Sequence, residues 1–190
     1  MATYDSDALL AVRTTATVGL GVATGLMLSY PLLSWPSIYA QGAPHDIKGR
    51  LDLFWNLYSN GANAMKKLLP SATALLAYAS YTTRPPADYL PASLVGRHRK
   101  ASSLSEAILA LAAALTFASV PLTYALIMPI NNRLKAIKDA KASGTVSAEG
   151  ATPDAEADQL IQHRWMSLHY GRILLCGTAF LLSVAELGSA

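Results

Sequence analysis

Trp165, His169 and Arg172 stand at i, i+4 and i+7 near the C-terminus, where the chain turns apolar. On a helix the three share one face. An imidazole exchanges a proton close to neutral pH. A guanidinium keeps its charge and offers anionic oxygen a rigid fork of N–H donors. From Met166 to Arg172 a helix climbs only about 9 Å at ~1.5 Å per residue. The stripe therefore lies at, or just inside, the start of a hydrophobic segment. Ionisable groups are costly there and mark a functional site. Simpler roles exist for two of the three: Trp165 as an interfacial anchor, and His169 as a hydrogen-bonding group between helices. Arg172 lies deeper and is harder to explain that way.

Two further polar motifs stand out. Asn56-Leu-Tyr-Ser-Asn-Gly-Ala-Asn63 places Asn56, Asn60 and Asn63 at i, i+4 and i+7, with Tyr58 and Ser59 beside them. Read as a helix, this is an amide-lined face on which each Asn offers donors and an acceptor; read as a loop, it is a polar turn with an N-cap. Met128-Pro-Ile-Asn-Asn-Arg-Leu134 closes the third apolar segment. Pro129 and Pro121 each remove a helix hydrogen bond. Asn131, Asn132 and Arg133 follow, and a cation near the negative end of a helix accounts for Arg133 by itself.

Other chemistries lack their signatures. His45 and His98 fall in loops and His163 precedes the last apolar segment, so no pair has HxxxH or HExxH spacing. Neither a metal site nor a haem is expected. There is no GxSxG, P-loop or GxGxxG. The single cysteine, Cys176, excludes an internal disulfide framework and reads as a small packing residue.

The elements that must position these groups follow from composition. Of 190 residues, 52% are hydrophobic and 14% charged, with positive mean hydropathy. Soluble domains carry about 25% charged residues, so the chain reads as a membrane protein. A net charge of +3 is too small to argue for nucleic acid. The expected fold is all-α, an integral-membrane four-helix bundle forming one transmembrane domain over 1–190, with a polar site at one membrane face. The expected spans cover about 8–33, 64–82, 106–130 and 165–187. The second has the shortest apolar run, Leu68 to Tyr81, and crosses only if its helix continues back through Lys66 and Lys67 or forward to Arg84. Loops are expected at Ser34 to Lys66, at Thr82 to Ser105 with Arg84-Pro-Pro and the basic patch Arg97 to Lys100, and at Asn131 to Arg164, with a mobile tether over about 135–163. Asp5 and Asp7 argue against a cleaved signal peptide. Gly21-Val-Ala-Thr-Gly25 is a GxxxG pattern that offers a route to a homo-oligomer.

Orientation is left open. Loops one and three hold Lys48, Arg50, Lys66, Lys67, Arg133, Lys135, Lys138, Lys141 and Arg164, whereas the basic residues of loop two are denser. With four spans, the start of helix two, the end of helix three and the start of helix four face one another. All three polar motifs fall there.

The motifs Asn56-Leu-Tyr-Ser-x-Gly, Pro129-x-Asn-x-Arg-Leu134 and Trp165-x-x-x-His169-x-x-Arg172 resemble those of the anthrone oxygenase family, small four-span membrane proteins of polyketide pathways. The resemblance runs from about Asn56 to Leu187. One departure is Lys66-Lys67 after Met65, where a proline is expected. The resemblance implies oxidation of an anthrone to an anthraquinone by O2, with no metal, flavin or haem. Its fungal branch implies an endoplasmic reticulum location. The substrate is then a flat, apolar, phenolic tricycle that reaches the site from the lipid bilayer. His169 is the candidate general base. Arg172 stabilises the enolate oxygen, Asn132 or Asn56 donates to the same oxygen or to the phenols, and Trp165 stacks on the rings. Tyr58 and Asn60 complete the expected substrate-binding set. The rival readings are a non-catalytic accessory tetraspan protein, in which Asn and Trp face headgroups, and a small transporter subunit with polar groups along one whole helix face. In the last segment, Ile173 to Ala185 is apolar apart from Thr178 and Ser183, which disfavours a continuous pore.

Overall fold

A computed structural model describes residues 2–39, 46–83, 92–144 and 151–188. His45 and Arg84-Pro-Pro lie outside the described residues, as do the side chains of Arg97 to Lys100. The described residues are helical, with no strand. Helix α1 is Ala2–Ser29, α2 Trp35–Tyr39, α3 Ile47–Thr82, α4 Ala92–Leu122, α5 Met128–Ala142, α6 Ala151–Gln159 and α7 Met166–Leu187. Three wide π-helical turns splice these pieces into longer helices: Tyr30–Ser34 between α1 and α2, Thr123–Ile127 between α4 and α5, and Leu160–Trp165 between α6 and α7. Two of them sit at prolines. Pro31 lies inside the first, and Pro121 and Pro129 flank the second. A proline has no N–H for the carbonyl four residues back, and a widened turn is one way a helix absorbs that loss.

Three stretches are long and apolar enough to cross a membrane: Asp7–Tyr39, Ser103–Ala142 and Asp154–Leu187. Helix α3 is not among them, which corrects the four-span expectation. It does continue back through Lys66 and Lys67, as a crossing at 64–82 would need. Those lysines and the polar run before them leave only a short apolar stretch, below the ~20 residues a span requires.

The expected loops are largely helical. Residues 47–66 belong to α3, 92–105 to α4, and the tether expected over 135–163 is occupied by the end of α5, by α6 and by the third wide turn. The tether's polar composition hid an amphipathic stripe: Ile130, Leu134 and Ile137 are buried on α5, and Ala157 and Ile161 on the α6 side. Arg133 is not at a helix end either. Its Nε and Nη2 donate to Glu156 at 2.7 and 2.8 Å, and Lys141 pairs with Asp154. Exposed pairs of this kind add little stability each, so the buried stripe carries the docking. Gly144, at φ 69°, closes α5 in the left-handed conformation that favours glycine.

The chain folds as two compact units. The first comprises Met1–Thr24, Lys66–Ala118 and Leu175–Ala190, and the second Gly25–Met65 and Ser119–Leu174. The first unit packs on small residues, with Ala16, Ala23, Ala72, Ala79, Ala112, Ala113 and Ala179 buried around Leu20, Leu76 and Leu109. Small side chains let helices approach closely where dispersion must drive association. A Cβ on Gly21 would stand 2.8 Å from the Phe180 ring, whereas Gly25 has nothing within 4 Å. The close approach at Gly21 is therefore made within the chain. The second unit has a core of larger side chains: Tyr30, Ile38, Leu51, Phe54, Ile127, Leu134, Ile161 and Trp165. All three wide turns fall in this unit.

Candidate functional site

The second unit gathers the polar motifs around Trp165. Helix α7 begins directly after a wide turn that ends at Trp165, and His169 follows one helical turn on. Their rings are stacked, with centroids 4.7 Å apart and planes 15° apart. Trp165 is 2% exposed and His169 5%. Trp165 is thus a core residue and not an interfacial anchor, because the wide turn brings its indole onto the inward stripe. Its Nε1 donates to Asn131 Oδ1 at 3.1 Å, as a buried indole N–H requires.

Three more aromatic rings close around the indole. Tyr30 packs at 4.7 Å from Trp165 and edge-on to His169 at 5.4 Å. Phe54 meets Trp165 edge-on at 5.2 Å, and Tyr58 does so at 6.3 Å while stacking on Phe54. Arg172 is buried one turn beyond His169. Burial pushes the Tyr58 phenol up from its ordinary range, and the Arg172 guanidinium pulls the other way.

His169 Nε2 lies 2.9 Å from the carbonyl oxygen of Met27. A carbonyl only accepts, so Nε2 carries the hydrogen and Nδ1 carries the lone pair. Met27 can spare this oxygen because residue 31, which would ordinarily donate to it, is proline. Pro31, in the wide turn that follows α1, therefore sets the histidine tautomer. Nδ1 is buried and has no hydrogen-bond partner among the described residues.

The meeting expected for the starts of helices two and four with the end of helix three is found in these contacts. The expected amide donors are not part of it. Asn132, Asn56, Asn60 and Asn63 are exposed. Helical register is the reason. On α5 the buried stripe runs through Ile130, Asn131, Leu134 and Ile137, so Asn132 turns away and Asn131, 2% exposed, faces Trp165. On α3 the inward positions are Leu51, Phe54 and Tyr58, and the asparagines take the opposite face. Sequence reasoning missed Asn131, Tyr30, Phe54 and the Met27 carbonyl. The signal for Asn131 was present, since it is the asparagine of Pro129-x-Asn-x-Arg-Leu134. The signal for Met27 was Pro31 within an apolar helix. Outward-facing asparagines fit the accessory-protein reading, but a buried Trp165 does not.

A set of membrane helices with a buried histidine held by a backbone carbonyl, and a buried arginine one turn on, defines a helical membrane protein with a polar cluster in its core. The family model for anthrone oxygenase matches residues 54–182, and the chain belongs to that family. No curated protein and no solved structure matches it. The family is one of oxygenases, and the match covers Phe54, Tyr58, Asn131, Trp165, His169 and Arg172. Tyr30 and Met27 lie before it.

Proposed function

We propose that the protein is a cofactor-independent oxygenase that converts an anthrone-type polyketide to an anthraquinone with O2 as co-substrate. The observation that carries this reading is the His169 lone pair. Nδ1 is held free by the Met27 contact at Nε2, inside an aromatic cluster suited to a flat tricycle.

The central CH2 of an anthrone is acidified by the conjugated ketone. Nδ1 of His169 takes one of its hydrogens as a proton, and the electron pair delocalises onto the ketone oxygen. Arg172 stabilises that oxygen with a charge that needs no reorganisation. The anion passes one electron to O2. The resulting carbon radical and superoxide combine as a peroxide anion, and His169 returns its proton to give the hydroperoxide. Loss of the remaining C–H proton, with cleavage of O–O, expels hydroxide, which leaves as water. One CH2 and one O2 become one C=O and one H2O. The protein supplies the base, the orientation and a dry site, and the substrate is its own reductant. The rings around His169 are closed, so substrate binding must displace the Trp165 indole. A flat tricycle would then stack where the indole stacks now.

The test is O2 consumption coupled to conversion of emodin anthrone to emodin by detergent-purified, metal-free protein. Wild type should accelerate the reaction over autoxidation. An unaccelerated reaction with folded protein would remove this reading.

A further inference from the structure

Tyr30 lies outside the family match, yet it forms one wall of the cluster around His169. Its side chain is 7% exposed, and its hydroxyl is buried with no hydrogen-bond partner among the described residues. A hydroxyl buried without a partner is costly. Tyr30 opens the wide turn that contains Pro31. A phenylalanine would satisfy the packing against Phe54, Trp165 and His169 equally well. The oxygen is therefore superfluous to the packed core.

One other buried polar atom next to Trp165 shares this condition, His169 Nδ1, whereas the Asn131 amide turns to the Tyr58 hydroxyl. Tyr30 and His169 each stand 4.7 Å from the indole, and Asn131 is hydrogen-bonded to it. A donor and an acceptor without partners thus lie against the same indole. That set complements a flat ligand with one acidic hydrogen and oxygens on which negative charge collects once the hydrogen leaves.

We infer that Tyr30 is a substrate-binding residue whose hydroxyl donates a hydrogen bond to an oxygen of a planar phenolic ketone. The bond strengthens as His169 Nδ1 takes the proton. This rests on the reading of His169 as the base and adds a residue that no motif of the chain includes.

Tyr30→Phe tests it, because the ring stays and one oxygen is removed. Turnover of emodin anthrone should fall roughly tenfold to a hundredfold. The melting temperature in detergent should hold or rise, since an unpaired hydroxyl is gone. Binding of 1,8-dihydroxyanthraquinone, a tricycle with nothing to oxidise, should weaken about tenfold as read by tryptophan quenching. Unchanged turnover and affinity in the variant, with wild type active, would overturn the inference. A melting temperature that falls together with turnover would also overturn it, because the hydroxyl would then be holding the fold. If wild type binds the quinone more tightly than the variant but oxidises no anthrone, the oxygenase reading fails while Tyr30 stands as a ligand contact.

Discussion

In the first unit the Arg13 guanidinium meets Glu186 at 2.8 Å and donates to Thr83 Oγ1 at 2.7 Å, while Ser105 donates to the same carboxylate. In the second unit His169 Nε2 has a neutral carbonyl for a partner, and two polar atoms against Trp165, the Tyr30 hydroxyl and His169 Nδ1, end with none. Both clusters sit within or beside helices apolar enough for a membrane, and both are buried. Charge in the first is answered by charge, which fastens α1 to α7, and what goes without a partner there, Arg13 Nε and Thr24 Oγ1, is not gathered on one ring. In the second, the Tyr30 hydroxyl and the lone pair of His169 Nδ1 have no partner among the described residues. The backbone differs in the same sense. The first unit keeps regular helices on alanine contacts, whereas every wide turn lies in the second. Such turns recur at functional sites because they re-aim side chains at the cost of regular hydrogen bonding. The comparison teaches that buried polarity in a membrane chain has to be sorted by whether its partners are supplied internally before it is read as function.

The sharpest way to break that contrast is at His169. His169→Ala should lower turnover by about 10²–10⁴ and also lower the unfolding temperature as the ring and its Met27 contact are lost, so O2 uptake is measured below that transition, on protein shown to be folded by thermal unfolding of the same preparation. Near-normal turnover would take the base away from His169. The converse holds for Glu186. Glu186→Ala leaves a buried guanidinium uncompensated, which should cost about 3–5 kcal/mol in unfolding free energy. The double variant Arg13→Met/Glu186→Leu should regain most of that stability and keep turnover. If the double variant is stable but inactive, the first cluster serves the reaction and the contrast fails.

Arg172→Lys should reduce turnover about tenfold, because a point charge replaces a planar fork. Equal rates would reduce the role of Arg172 to charge alone. The smallest effects separate adjacent asparagines. Asn131→Ala should lose about 1 kcal/mol of stability with the Trp165 hydrogen bond. Asn132→Ala, at an exposed position, should stay within about 0.5 kcal/mol. Calorimetric melting of the two variants, run side by side, checks both values. Matching losses would mean that the register of α5 differs from that described.

Much of this was legible in the chain. Charge depletion and apolar runs specify a helical membrane protein, because only satisfied backbone survives in lipid. The i, i+4, i+7 stripe places Trp165, His169 and Arg172 on one face whatever they pack against. The three short motifs lead to the family that the comparison bears out. Periodicity says less about which face turns inward when both faces are mixed. The Asn56, Asn60, Asn63 stripe is a true helical face, but it faces outward, because Leu51, Phe54 and Tyr58 offer more apolar area on the other side. The polar stretch beyond Leu134 resembled a tether because a stripe of single isoleucine, leucine and alanine residues is faint in composition.

What the sequence determined alone was the class, the family and the shared helical face of Trp165, His169 and Arg172. Tertiary structure decided that α3 supplies aromatic walls and not amide donors, that Asn131 takes the place expected for Asn132, and that Met27 and Tyr30 join the site from a segment far away along the chain. The physical reason is that proline and wide turns shift helical phase by a fraction of a turn. Which carbonyl is freed, and which ring swings inward, depends on the neighbour packed across from it.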